Sequence, residues 1–580
     1  MKWNRFKKTL LALAVTFCLL LPVPAAFATG TKNDTSVGTL KVMSLSDTHL
    51  LLRSMIKNTE DYQHDMDMDQ KVYNESEAVL DAQLRKVRET KPDVLLLSGD
   101  LTKDGEYRGH EAIAAKLRAL KKDLPSLKVY VANGNHDINN SNAKDFNTPD
   151  GKAVPARKTT PEDFRALYAD ISFEDPSVRE VYSPPAGAKA GGLSYMARPK
   201  KGFTIIVIDS NRYSPDNTET GEAEHDTSGK IPEDLLQWIK RKISNARKRG
   251  DTVIGVQHHN VVAHFTMEPN VMGAFLVNDY SHIAKTYADT GLHYLFTGHM
   301  HAQDVSFLRT EAGNELYDIE TGSSITYPCP LRTVTFQRAG TDPEADNGVR
   351  ETVTGASTQN LRVSFRDPQT GDQKTIPDMT AYTKGKGLTP KVISTILEDM
   401  LQTKLGNAYP EALNNFIETL IFDLMNVPVT KEGSHTVYDA FTYAHMSHLD
   451  GTDDGNDPAW YREAMDNLSE GKVLAGLTDV LCRDLAGLSN RNADLLYHGL
   501  FGAANISYYT APQIAQDLNE FLYKLMMSLS HDTNYNDDVS FRLERGNVPT
   551  PGHPDNSSVE NGLEHNLICK VVSAALKPKA

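Results

Sequence analysis

Residues 129–137 read Val129-Tyr130-Val131-Ala132-Asn133-Gly134-Asn135-His136-Asp137. Val129–Val131 is a short apolar, β-branched run of the kind that makes a buried strand. Gly134-Asn135-His136-Asp137 then supplies a tight turn that also carries an amide, an imidazole and a carboxylate. A turn needs none of those three groups, so the combination points to chemistry. The same arrangement recurs along the chain. Asp47-Thr48-His49 follows Leu40–Leu45, Gly99-Asp100 follows Val94–Leu97, His258-His259 follows Val253–Val256, and Gly298-His299-Met300-His301 follows Tyr294–Phe296. Amphipathic helical patterns lie between the strands, at Glu77–Arg88, Glu111–Leu120 and Pro232–Arg247. Thr204–Ile208 is a further buried strand, with Asp209-Ser210 at its end. This alternation predicts an α/β layered domain. In open α/β sheets, ligands gather at the carboxyl ends of the strands, so all five clusters fall on one predicted rim.

Residues two apart on extended chain point the same way. Asp47 with His49, and His299 with His301, can therefore each converge on one point. Imidazoles, carboxylates and one amide oxygen suit hard or borderline metal ions, and the lack of any cysteine in the set excludes a closed thiolate zinc site. Seven potential ligands (Asp47, His49, Asp100, Asn135, His258, His299, His301) exceed what one tetrahedral ion needs. They suit two ions that share a carboxylate, a recurring device in phosphoryl transfer. The glycines beside them let the backbone turn in a crowded centre.

The ordered series Asp-x-His, Gly-Asp, Gly-Asn-His-Asp, His, Gly-His-x-His resembles the calcineurin-like metallophosphoesterase family over residues 39–337. Within it, Gly99-Asp100-Leu101-Thr102-Lys103-Asp104-Gly105 and the Gln237-Trp238 helix are similar to the class III cyclic nucleotide phosphodiesterase group. The resemblance implies a layered β-sandwich flanked by helices and two iron, manganese or zinc ions. Asp47, His49 and His301 are implied to hold one ion and Asn135, His258 and His299 the other, with Asp100 bridging. His136 is implied to contact the phosphate or protonate the leaving oxygen. The implied reaction is hydrolysis of a small phosphate ester by a hydroxide bridging the ions, with a cyclic nucleotide phosphodiester as the favoured substrate. A phosphomonoesterase or nucleotidase on the same site is the alternative. Asn260 stands where members often have proline after His258-His259, which leaves the choice between the two histidines open. A secreted binding protein with a vestigial site is the rival from another class, but it would be expected to have lost a ligand, and all seven positions are filled.

Outside the motifs the chain sets bounds. It has 580 residues, 39% hydrophobic and 24% charged, with a formal charge of −15. That is ample apolar material for a large core and excludes a disordered or polytopic membrane chain. An acidic surface repels a phosphate backbone, so polymeric nucleic acid is not an expected partner. Lys2, Arg5, Lys7 and Lys8, the apolar run Thr9–Leu21 and Ala26-Phe27-Ala28 read as a secretory signal over residues 1–28, so an extracytoplasmic location is expected. No later apolar run reaches the roughly 18 residues of a membrane span. The remaining cysteines are Cys329, Cys482 and Cys569, of which Cys482 and Cys569 are the pair to test.

The catalytic domain is expected over residues 38–370, a linker over 371–387 and a separate, mostly helical domain over 388–580. Thr389 reads as an N-cap with Pro390 at the first helical position. Helical patterns occupy Glu411–Met425, Tyr438–His448, Pro458–Leu468, Lys472–Leu485 and Ala511–Leu529. The size and separateness of this part suggest cover for the site mouth, recognition of the non-phosphate part of a substrate, or a homodimer contact. Three other features read as structural. Asp65, Asp67 and Asp69 read as a solvated loop. Asp450–Asp457 does not fit a calcium loop, because Tyr461 stands where the twelfth-position glutamate belongs. His445 and His448 read as satisfied histidines of the core or surface.

Overall fold

The computed structural model describes residues 38–544 except 68, 187–189, 213–226, 343–344, 346, 368–369, 385, 387–388, 395–411, 454, 488–510 and 532–537. The signal segment and Cys569 lie outside the described residues. Most of the helical pattern expected after Pro390 also falls on residues outside the description, but its cap is present: the Thr389 hydroxyl accepts the Val392 N–H at 3.2 Å.

Two mixed sheets carry the α/β part. One runs in the order Ser540–Glu544, Val349–Thr358, Leu331–Thr341, Gly38–Leu45, Val94–Ser98, Lys128–Ala132. The last three strands are parallel, with Val42 opposite Val94 and Leu95 opposite Val129. The other runs Val305–Arg309, Glu315–Glu320, Tyr294–Thr297, Thr252–Val256, Phe203–Val207, Tyr195–Lys200, Val178–Val181. Its Phe203–Val207, Thr252–Val256, Tyr294–Thr297 and Glu315–Glu320 strands run parallel to one another. The central parallel strands are mostly apolar because both faces are covered. Val94–Ser98 and Thr252–Val256 are buried at every position.

Between the sheets, Leu40, Val42, Leu95, Val131, Ile205, Ile254, Phe296 and Phe336 share one buried cluster. On the outer face of the second sheet, helix Glu233–Lys248 sets Leu235, Leu236, Ile239 and Ile243 against Ile206 and Val253. Helix Tyr73–Thr90 covers the first sheet and ends at Lys91 in the left-handed conformation. The layered sandwich with flanking helices is thus present, as are the helices read from the C-terminal periodicity: Ala412–Met425, Val437–Asp450, Ala459–Ser469, Leu474–Gly487 and Ala511–Ser530. Val437–Asp450 begins with a capping box, the Thr436 and Asp439 side chains each bonding the other's backbone N–H.

Three findings differ from the sequence reading. The stretch holding Asp65 is not a solvated loop: it forms helix Glu60–Asp67. Asp65 lies 3.1 Å from Lys144 Nζ and 3.7 Å from Lys103 Nζ, and these cations hold the acidic stretch against the body. Of the two histidines read as satisfied, His448 is partnered at Nδ1, which lies 3.3 Å from Asp453 Oδ2. The Nε2 atoms of both lack a partner among the described residues. Phe441 stacks on His445 and Phe265 meets His448 edge-on.

Third, Ser540–Glu544 returns from beyond the helices to form the edge of the first sheet, pairing antiparallel with Val349–Thr358. Phe541 is 4% exposed and fills the space left by the bare Cα of Gly355, with the Arg332 guanidinium 5.5 Å from its ring centre. The helical part also shares a core with the α/β part, through Phe265, Met267 and Met300. Phe541→Ala is expected to cost about 3 kcal/mol of stability, read as a lower midpoint in urea unfolding. An unchanged midpoint would mean that this strand does not hold the sheet edge.

Candidate metal centre

Each of the five motif clusters sits at the carboxyl end of a parallel strand: Gly38–Leu45, Val94–Ser98, Lys128–Ala132, Thr252–Val256 and Tyr294–Thr297. Their side chains meet. The Asp47 Oδ1 atom lies 3.2 Å from His301 Nε2, and His49 Nε2 lies 3.3 Å from His301 Nε2. Asp100 Oδ2 lies 3.7 Å from His49 Nε2 on one side and 3.2 Å from His258 Nε2 on the other. His258 Nε2 is also 3.0 Å from Asn135 Oδ1, and His299 joins Asp100 and His258 within 4.8 Å. All seven sequence-predicted ligands therefore gather in one place, in two groups that share Asp100. Asp47, His49 and His258 are fully buried, and Asp100 is 1% exposed.

The backbone is bent to achieve this. Asp47, His49, Asp100, His299 and His301 all have positive φ, between 36° and 78°. Left-handed backbone in a residue other than glycine costs on the order of 1 kcal/mol and persists only where surrounding contacts enforce it. Those contacts are visible. Asp100 Oδ1 accepts the His136 N–H at 2.8 Å, and Asp47 Oδ2 accepts the His299 N–H at 3.1 Å. Two glycines leave the necessary room: a Cβ at Gly134 would collide with the Asp100 carboxylate, and one at Gly298 with Ser46 and Asp47.

The donor set fits cations. Ring nitrogens face amide and carboxylate oxygens at 3.0–3.9 Å. Asp47 Oδ1 and His299 Nε2 are buried without a hydrogen-bond partner among the described residues. Such groups are costly to bury unless a positive charge binds them. His258 Nδ1 lies 2.8 Å from the Ser98 carbonyl oxygen, which places its proton there and turns the Nε2 lone pair inward. Burial opposes charge on His258, yet the Asp100 carboxylate more than offsets it and lifts the imidazole to about 9. Burial pulls His49 and His299 well below the usual imidazole range. Burial also opposes ionisation of Asp100, but His258 and His136 together hold its carboxyl well below the usual range.

His259 is no part of this set, because both its nitrogens are taken: Nδ1 lies 2.8 Å from Ser210 Oγ and Nε2 lies 2.9 Å from the Thr227 carbonyl oxygen. The ring of His259 instead packs against that of His299 at 4.5 Å. Asn260, in the proline position, is built in by its amide. Its Nδ2 reaches His264 Nε2 and Thr297 Oγ1, each at 2.9 Å, which pins the loop after His258. Asp209 also braces the rim from behind. Its carboxylate accepts the Asn133 side-chain amide at 3.0 Å and the Leu193 N–H at 3.0 Å.

His136 stands at the edge of the centre. Its side chain is 23% exposed, and Nε2 lies 3.9 Å from Asp100 Oδ2. The Nδ1–H donates to the Lys103 carbonyl at 2.7 Å and faces Asp104 Oδ1 at 3.0 Å. Burial disfavours imidazolium here, but Asp100 and Asp104 prevail and raise the pKa of His136. Asp104 itself is 4% exposed. Burial opposes its charge, yet Lys103 and His136 hold its carboxyl at about 2. Asp104 was not assigned a role from sequence; its place four residues after Asp100 was the available signal. Lys71 was also missed, and nothing in its local sequence marks it.

Residues 40–303 match the family model for calcineurin-like phosphoesterases. No curated protein matches the chain. Among solved structures, the chain is similar to a dimetal phosphatase from Danio rerio, at 13% identity and a TM-score of 0.32, over 58% of this chain and 99% of that one. It is also similar to a phosphopantetheinyl hydrolase from Mycobacterium tuberculosis, at 12% identity and a TM-score of 0.22, over 49% of this chain and 89% of that one. The five clusters gathered at one rim, from Asp47 to His301, all lie within the residues that match this family model.

Proposed function

We propose that the protein is a secreted, dinuclear metal-dependent phosphoesterase that favours phosphodiesters, with cyclic nucleotides as the substrate class. Asp100 carries this reading. One of its carboxylate oxygens lies between two groups of imidazole and oxygen donors, and the other is held by the His136 N–H. In this reading Asp47, His49 and His301 hold one ion, Asn135, His258 and His299 the other, and Asp100 serves both. Residues 38–370 carry the catalytic domain, completed at its sheet edge by Ser540–Glu544, and the helices described between Ala412 and Ser530 form the helical part. Two iron, manganese or zinc ions held there supply concentrated positive charge and acidify water beside the ester.

The chain's own groups do the rest. The near-complete burial of the ligands keeps bulk water from screening the centre. His136 has its Nδ1–H committed to Lys103 and Asp104, so its Nε2 face is the one turned toward an ester. From there it donates a proton to the leaving oxygen or a hydrogen bond to the phosphoryl group. Asp104 fixes the tautomer and orientation of that ring. The preference for a diester is supported by the Gly99–Gly105 block and its similarity to the class III cyclic nucleotide phosphodiesterases. Secretion is supported by the basic, apolar and small-residue order of residues 1–28.

Kinetics on 2′,3′- and 3′,5′-cyclic nucleotides, bis-p-nitrophenyl phosphate and p-nitrophenyl phosphate are expected to favour the diesters. A higher kcat/KM on the monoester would overturn that preference. Asp100→Asn is expected to lose bound metal, measured by elemental analysis, and to cut turnover by at least about 1,000-fold. His136→Ala is expected to lower kcat by about 100-fold or more with metal content retained. Asp104→Asn should lower kcat by about tenfold with little change in KM, since it acts through His136. Equal losses of metal in all three variants would remove His136 and Asp104 from the chemistry.

A further inference from the structure

Beside the metal centre a cleft of about 420 Å³ opens between two segments far apart in sequence. One wall is Asp69–Glu75, in the insertion after the first motif. The other is formed by Tyr382, Lys386, Thr389, Lys391 and Val392, at the approach to the C-terminal helices. The second wall lies beyond residue 303, where the family match ends.

Its charge departs from that of the whole molecule. On a chain with a formal charge of −15, the cleft brings together Lys71, Lys386 and Lys391. Two acids share it, and both are engaged. Asp69 accepts from Lys71 Nζ at 3.0 Å and from the Tyr73 hydroxyl at 2.7 Å. Glu75 is 7% exposed and accepts the Tyr382 hydroxyl at 3.0 Å, while burial pushes its carboxyl up toward the neutral form. Lys386 is exposed and stands 4.3 Å over the Tyr382 ring. Lys391 has a long 3.5 Å pairing with Glu418, both side chains about half exposed, which binds it only weakly. An ammonium carries three donors, so hydrogen-bonding capacity remains at each lysine.

The cleft adjoins the centre through a short chain of contacts. Lys103 Nζ sits 5.4 Å from the centre of the Tyr73 ring, and the Lys103 carbonyl receives the His136 Nδ1–H. Lys71 lines the cleft on the same wall as Tyr73. The volume exceeds what one phosphate needs and falls in the range of small-molecule pockets.

We propose that this lysine-lined cleft is a substrate subsite that receives a second phosphate group, carried by the same molecule whose ester lies at the metal centre. The proposal rests on the phosphoesterase reading above. It makes the preferred substrates nucleotide-like esters with an additional phosphate, held by Lys71, Lys386 and Lys391 and flanked by Tyr73 and Tyr382.

The test compares thymidine 5′-(p-nitrophenyl phosphate) with the same ester bearing a 3′-phosphate, using the full-length, metal-loaded protein. The phosphorylated ester is expected to have about tenfold higher kcat/KM at low salt, an advantage that shrinks as salt rises. In the Lys386→Gln/Lys391→Gln double variant that ratio is expected to fall to near one. A separate arm measures binding by calorimetry, with thymidine 3′,5′-bisphosphate against thymidine 5′-monophosphate. The bisphosphate is expected to bind about tenfold more tightly to the wild type, and no more tightly than the monophosphate to the double variant. Equal binding of the two nucleotides, or a bisphosphate advantage that survives in the variant, would overturn the subsite. If neither ester turns over, the phosphoesterase reading fails, and the binding arm still decides the cleft.

Discussion

A single buried carboxylate organises this molecule. Asp100 is 1% exposed, at the end of a strand buried along its whole length, with imidazoles on two sides and a backbone N–H on its other oxygen. An isolated carboxylate in such a place would lose its charge. Here the histidines around it hold it ionised, and its negative charge in turn lifts His258 and His136. The centre is thus a balance of opposite charges in a low-dielectric pocket, where each group's protonation depends on its neighbours. Cations with a preference for oxygen and nitrogen donors would complete that balance.

Holding so many polar groups together requires a rigid frame. The parallel strands supply it, because their ends are fixed by cores on both faces of each sheet. The cost appears as left-handed backbone at five of the seven gathered ligands. Strain concentrated in this way is typical of sites where geometry is enforced by the surrounding structure. The helical C-terminal part adds to the enforcement. Met300, between the two histidines of the last motif, packs into its core, and the Gln303 N–H bonds the Leu449 carbonyl at 3.1 Å. The loop bearing His299 and His301 is therefore braced from both parts of the chain.

Beyond the centre, the chain's individuality lies in what was added to the family's motif series. The insertion after the first motif sets Asp65 on Lys103 and Lys144, and Lys71 in the cleft wall. The segment at Tyr382 closes over it through the bond between Tyr382 and Glu75. These additions place cations near a site on an otherwise acidic protein, where an anionic ligand needs local positive charge to approach.

The fold class and the gathering of the site were legible because both are written in local patterns. Buried parallel strands appear as unbroken apolar runs, helices as a 3.6-residue period, and ligand turns as glycine beside histidine or aspartate, so Val129–Asp137 already stated its place. Groups that meet only through long-range contacts left no such mark. The choice of His258 over His259 depended on Ser210 and the Thr227 carbonyl occupying the latter. The role of Asp104 depended on which way His136 turned. The edge strand Ser540–Glu544 and the lysine cleft depended on segments nearly 200 or more than 300 residues away. Sequence alone determined which residues were equipped for metal and phosphate chemistry, since side-chain type and spacing are covalent facts. Tertiary structure decided which of them face one another, since that follows from how distant surfaces pack.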